Sequence, residues 1–200
     1  MYATVQSSSR TKSMIQVSVL GVIGFIIMFL EIPLWFTPEF LKIDLSDLPA
    51  LIGSFALGPV AGILIELIKN ILHMLLKGTS TMGMGELANF IVGGAFVFTA
   101  GLAYQKSKTK AAAIRGMVLG TMAMVLIASA MNYVFLIPFY AKLYGMDVQV
   151  FVDMTKVVNP FVSDYTSFIL FAIAPFNLAK GIIVSLVTFP IYKRVATILK

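Results

Sequence analysis

Asn132, Asn177 and Lys180 are polar residues set inside otherwise apolar runs, in MNYVFLIPF and APFNLAKGIIV. A carboxamide donates and accepts hydrogen bonds through one planar group, and an ammonium offers three donors and no acceptor. Such groups are costly in an apolar medium unless they are paired or used. Asn177 and Lys180 are three residues apart, so a helix puts them on one face. Pro175, just before them, cannot donate a backbone hydrogen bond and so frees a carbonyl nearby. Together these groups can line a pocket for a small polar molecule. The competing reading is that the asparagines bond between helices and that Lys180 is neutralised by an acid or a carbonyl.

A second polar set is Glu66, Lys69, Asn70 and His73, spaced so that several pairs are i,i+3 or i,i+4 neighbours. They can satisfy one another. The alternative is a proton relay in a membrane-embedded enzyme built on Glu66 and His73. Glu86 and Asn89 follow a glycine-rich turn and serve either as a helix cap or as ligand contacts. The chain has no cysteine and one histidine, so neither a thiolate nor a histidine metal centre is expected. There is no G-x-x-x-x-G-K-[ST], G-x-S-x-G or H-E-x-x-H, which leaves no phosphate loop and no recognisable hydrolase machinery.

These groups need elements that hold them inside a bilayer. Of the 200 residues 59% are hydrophobic and 12% charged, roughly half the charged share of a soluble domain. Mean hydropathy is +0.95. The apolar surplus fits a single all-α membrane domain whose outer surface faces lipid. The hydrophobic runs predict six helices at about 14–30, 47–58, 59–76, 86–104, 112–140 and 164–192. The second is too short to cross alone. The first runs into FLEIPLW with no small-residue cleavage site, so it is expected to be a retained helix. Arg10 and Lys12, the cluster Lys106, Lys108, Lys110 and Arg115, and the C-terminal basic residues all flank apolar runs. That placement accounts for the net charge of +6 without nucleic acid, and by the positive-inside rule it puts both termini in the cytoplasm. The acid-rich loops 31–46 and 144–163 are then external. Trp35 and Phe36 form an interfacial aromatic belt or a lid over a pocket. Ser18, Gly21 and Gly24 make a smooth stripe on the first helix, suited either to internal packing or to a partner subunit.

Taken together, FLEIPLWFTPEFLKIDLSDLPALIGSFALGPVAGILIELIKNILH, GTSTMGMGELANFIVGG and APFNLAKG resemble the riboflavin-specific substrate-binding (S) components of energy-coupling-factor (ECF) transporters, over essentially the whole chain. The resemblance implies a six-helix membrane protein of the plasma membrane, not an enzyme and with no cofactor of its own. It would capture riboflavin from outside and dock on a transmembrane coupling subunit with two ATPase subunits. It also implies that Asn132, Asn177 and Lys180 are the pocket amides and lysine. Leu41, Met84, Tyr133 and Phe176 are placed around the flat ring by position. Ser18, Gly21 and Gly24 stand where the family often carries an A-x-x-x-A docking surface. An S component for another flat heterocyclic vitamin would share the fold with a different pocket.

Overall fold

A computed structural model of the protein describes residues 2–35 and 41–199. Seven helical elements follow one another: α1 (Tyr2–Ile27), α2 (Asp47–Leu57), α3 (Pro59–Leu76), α4 (Met84–Gln105), α5 (Lys110–Tyr144), α6 (Val148–Lys156) and α7 (Tyr165–Leu199). All but α2 and α6 are long and apolar enough to cross a membrane. The protein is therefore a multi-pass membrane helix bundle. One two-residue antiparallel pair, β1 (Ile32–Pro33) and β2 (Lys42–Ile43), closes the segment after α1 with Ile32 opposite Ile43.

Several boundaries differ from those the sequence suggests. Helix α1 begins at Tyr2 and ends at Ile27, because its polar first turns need no lipid to be helical. Helices α5 and α7 run to Tyr144 and Leu199. The segment expected as a loop over 144–163 contains α6, whose start is capped by Asp147 accepting from the Gln149 amide at 2.7 Å. Trp35 is 84% exposed, and Phe36 and Glu39 lie outside the described residues.

Helix α2 is apolar because it is enclosed, not because it faces lipid: eight of its eleven residues, Asp47 and Pro49 to Phe55, are buried. Eleven residues reach about 16 Å. Gly58 ends α2 with φ 115°, a region that favours glycine, and Pro59 starts α3 directly. A Cβ on Gly58 would lie 2.9 Å from the side-chain nitrogen of Gln105, the last residue of α4. At its other end Asp47 meets Lys69 of α3. Along the chain β2 precedes α2, and α2 ends beside the last residue of α4.

Helices α4 and α5 touch backbone to backbone. A Cβ on Gly116 or Gly120 would fall 2.5 or 2.6 Å from the carbonyl oxygens of Ala100 and Phe96. The core under this contact is made by Phe55, Ile65, Phe96, Val97, Met124 and Val184.

Both α5 and α7 contain one π-helical turn, at Asn132–Leu136 and Ile169–Ile173. Each is followed, two residues after its end, by proline, Pro138 and Pro175. Proline lacks the N–H that the ordinary i→i−4 ladder needs, and a π turn shifts the ladder by one residue ahead of that gap. The amides of Ile137 and Ala174 reach back five residues to the Asn132 and Ile169 carbonyls. The carbonyl left without its proline partner in α7, that of Phe171, accepts from Asn159 Nδ2 at 2.9 Å. It is consumed there and does not face a pocket.

Candidate functional site

The two π turns place the deep amides. Asn132 opens the turn in α5, and its Nδ2 donates to the Ala128 carbonyl at 2.8 Å. Asn177 follows the turn in α7, and its Nδ2 donates to the Ile173 carbonyl at 2.9 Å. Each amide is thus anchored by one N–H to its own helix, with its oxygen and second N–H left for other partners. Tyr165, at the start of α7, ties the two helices together through its hydroxyl, 2.7 Å from the Tyr133 carbonyl and 3.0 Å from that of Asn132.

Asn132, Asn177 and Lys180 converge on a single cavity of about 230 Å³. Leu41 and Lys42 approach it at the start of β2, and Phe176 and Met124 from the helices. Helix α4 contributes Gly85, Ala88, Asn89 and Val92, a single face at i, i+3, i+4 and i+7. Asn89 is the residue that sequence spacing left undecided. Its Oδ1 is buried with no partner, an acceptor aimed at nothing the chain itself supplies. Its unused position on the Gly85–Val92 face was the available signal. Lys42, Gly85 and Asn89 also line a larger, more polar cavity of about 800 Å³, walled by Glu31, His73, Thr81 and Glu86. The two cavities adjoin at these three residues; the smaller is called the inner cavity and the larger, more polar one the outer.

Two of the positions placed around the ring lie elsewhere. Met84 is off the cavity-facing phase of α4 and lines a groove with Met74 and Phe90. Tyr133 is 46% exposed and stacks on Tyr165 with ring centroids 5.0 Å apart, since neighbours on a helix do not share a face. The small-residue stripe on α1 is filled from within. A Cβ on Gly21 would meet Ile68 at 2.6 Å, and one on Gly24 would meet the Ser46 carbonyl at 3.2 Å and Lys69 at 3.3 Å. Only Ser18 of that stripe is exposed.

Lys180 is held by two acids. Its Nζ lies 3.2 Å from Asp44 Oδ2 and 3.2 Å from Asp47 Oδ2. Asp47 also takes Lys69 on its other oxygen at 2.6 Å, and Lys69 in turn contacts Glu66 at 2.7 Å and donates to Ser46 at 2.9 Å. All five charged groups are buried. Glu66 also fixes how near α4 can come: a Cβ on Gly93 would lie 2.7 Å from its Oε2. Asn70 donates to the Glu66 main-chain carbonyl, not to its carboxylate. His73 stands apart from Glu66 and pairs with Glu86 Oε1 at 3.3 Å, while Thr79 donates to Glu86 Oε2 at 3.0 Å. Glu86 is therefore neither a side-chain cap nor part of a Glu66–His73 relay.

A multi-pass bundle with a small cavity of mixed polarity among its helices has the build of a membrane subunit that takes a small molecule. The chain belongs to the ECF transporter substrate-specific components, whose family model matches residues 12–192. Members of this family are transport components, not enzymes. The chain is 34% identical over 194 residues to the riboflavin transporter RibU of Staphylococcus aureus strain TCH60, covering 96% of this chain and 94% of that protein. It is 33% identical over 181 residues to the riboflavin transporter FmnP of Bacillus subtilis strain 168, covering 89% and 88%. A solved structure of the S component of a bacterial ECF transporter superposes with a TM-score of 0.73 at 34% identity, over 96% of this chain and 99% of that one.

Proposed function

We propose that this chain captures riboflavin from outside the cell and delivers it inward together with an ATP-driven coupling module. The observation that carries the reading is the convergence of Asn89, Asn132, Asn177 and Lys180 on one narrow cavity with Leu41 and Phe176 on its wall. Riboflavin is an uncharged flat tricycle with alternating donors and acceptors on one edge and a polyhydroxyl tail. Anchored carboxamides and an ammonium match that edge, and Leu41 and Phe176 match its faces. The polar outer cavity, with Thr81, Glu86 and Lys42 on its wall, suits the hydroxylated tail. The names of the similar proteins point to the same ligand.

The coupling module is taken to be one transmembrane subunit and two ATPase subunits, since the chain has no phosphate loop of its own. We place both termini in the cytoplasm and count the β2–α2 path as a sixth crossing. Gln16 of α1 donates to the Leu199 carbonyl at 2.5 Å, so the two terminal helices meet at one end of the bundle. The basic residues flanking those helices favour the inner side.

Purified protein in detergent should quench riboflavin fluorescence on titration, with a saturable one-to-one end point. No quenching by riboflavin, with binding to another heterocycle in a vitamin panel, would transfer the reading to that heterocycle.

A further inference from the structure

We infer that Asp44 is a positioning residue that acts on the ligand through Lys180 and joins the cover of the cavity to its wall. This rests on the riboflavin reading above and deepens it.

Asp44 lies just past the residues that cover the cavity: Leu41 and Lys42 line the space, and Asp44 follows Ile43, the last residue of β2. Its carboxylate is fixed at both oxygens. Oδ1 accepts from the Ser46 amide at 2.7 Å, and Oδ2 faces Lys180 at 3.2 Å, across 136 residues of sequence. Lys180 has three N–H groups. One donates to Asp44 Oδ2, Asp47 Oδ2 lies at 3.2 Å as a second ion-pair partner, and the side chain also lines the cavity. The acids therefore hold the ammonium at the cavity wall, where an N–H not given to Asp44 faces the ligand. Their roles are not equal. Asp47 is shared with Lys69, whereas the Asp44 oxygen facing Lys180 has Lys180 as its cation. Its charge keeps the ammonium at the cavity wall, and its backbone carries the cover. A ligand that accepts from Lys180 is thereby bound to both.

A flavin near a fixed positive charge reports it, because its visible absorption bands move with the local field. In the detergent-solubilised full chain, Asp44→Asn should raise the riboflavin dissociation constant by about tenfold or more, the scale of one charge-assisted hydrogen bond. At saturating riboflavin it should also move the bound-flavin bands away from their position in the unsubstituted chain. In a Lys180→Met background, adding Asp44→Asn should leave both the dissociation constant and the bands unchanged. Wild-type bands in Asp44→Asn, whatever its affinity, would overturn the inference, and so would a further tenfold loss in the double variant. If Asp44→Asn alone does not fold, the double variant has no ammonium left uncompensated by that change, and its comparison with Lys180→Met decides in the same way. Absence of riboflavin binding by the unsubstituted chain would overturn the riboflavin reading and this inference together. The spectral and double-variant outcomes overturn the inference alone.

Discussion

Two carboxylates in this protein each stand between two lysines, and they differ almost only in where they are. Asp47 lies between Lys69 and Lys180 with no exposed surface. Glu31 lies between Lys77 at 2.6 Å and Lys42 at 3.5 Å, at the mouth of the outer cavity, with all three side chains partly exposed. The same stoichiometry has different consequences in the two settings. Away from water, breaking a pair strands an uncompensated charge. At a wet edge, water replaces the lost partner and the pair contributes little. The deep node is therefore scaffold: it fixes α2, α3 and α7 to one another and delivers Lys180 to the cavity. The outer node is a contact between a strand and a helix end that can form and part at small cost.

The sharpest way to break this contrast is at Lys69. Lys69→Met leaves Asp47 and Glu66 facing each other without the ammonium between them. The expected loss is about 3–5 kcal/mol, seen as a large drop in the unfolding temperature of the detergent-solubilised protein or as failure to accumulate in the membrane. An unfolding temperature equal to that of the unsubstituted chain would mean that the cluster is not what holds α2 to α3.

Uncharged polar groups beside the deep node should behave differently from both carboxylates. Asn177→Ala removes one hydrogen bond from the side chain to a carbonyl of its own helix, worth about 0.5–1.5 kcal/mol of stability, and also the free amide edge facing the cavity. Riboflavin affinity is expected to fall by about 1–3 kcal/mol, with the folded protein retained. Affinity is read by fluorescence titration and folding by thermal unfolding without ligand. An unchanged dissociation constant would remove Asn177 from the ligand site and leave it as a helix-anchored amide.

The sequence made some of this legible and concealed the rest for definite reasons. Asn132, Asn177 and Lys180 stand out because polar groups in apolar helices are few, and their spacing fixes the face they share. The counter-ions of Lys180 could not be found that way. Asp44 and Asp47 lie in an acid-rich stretch that looks external, and only the inward dip of β2 and the short α2 buries them. Asn89 was visible as a polar group on α4, but its role depends on Gly85, Ala88 and Val92 sharing its face. Met84 and Tyr133 lie close along the chain to residues that line the cavity, whereas helical phase turns them away. The π turns were foreshadowed by Pro138 and Pro175, although no local pattern says whether a proline produces a kink, a break or a shifted ladder. Helix α6 is short and half-polar, and its only local sign is Asp147 at its cap.

The outer node supplies the smallest effect and the test of sign. Burial pushes the Glu31 carboxyl up, yet hydrogen bonding and charge from Lys77, with Lys42 adding to them, hold it below its ordinary value overall. A carboxyl lowered in the folded state contributes stability that is present above its unfolded value and is lost as pH falls through its folded one. Glu31→Gln should therefore cost less than about 1 kcal/mol at pH 7. The difference from the unsubstituted chain should close as pH drops below the ordinary carboxylate range, and raised salt should shrink it at pH 7. Unfolding temperatures of the two proteins, measured at pH 7 and near pH 3 and at low and high salt, read this directly. A penalty as large as that of Lys69→Met, insensitive to salt, would show that the mouth of the cavity is as dry as its floor, and the contrast between the two nodes would then have to be given up.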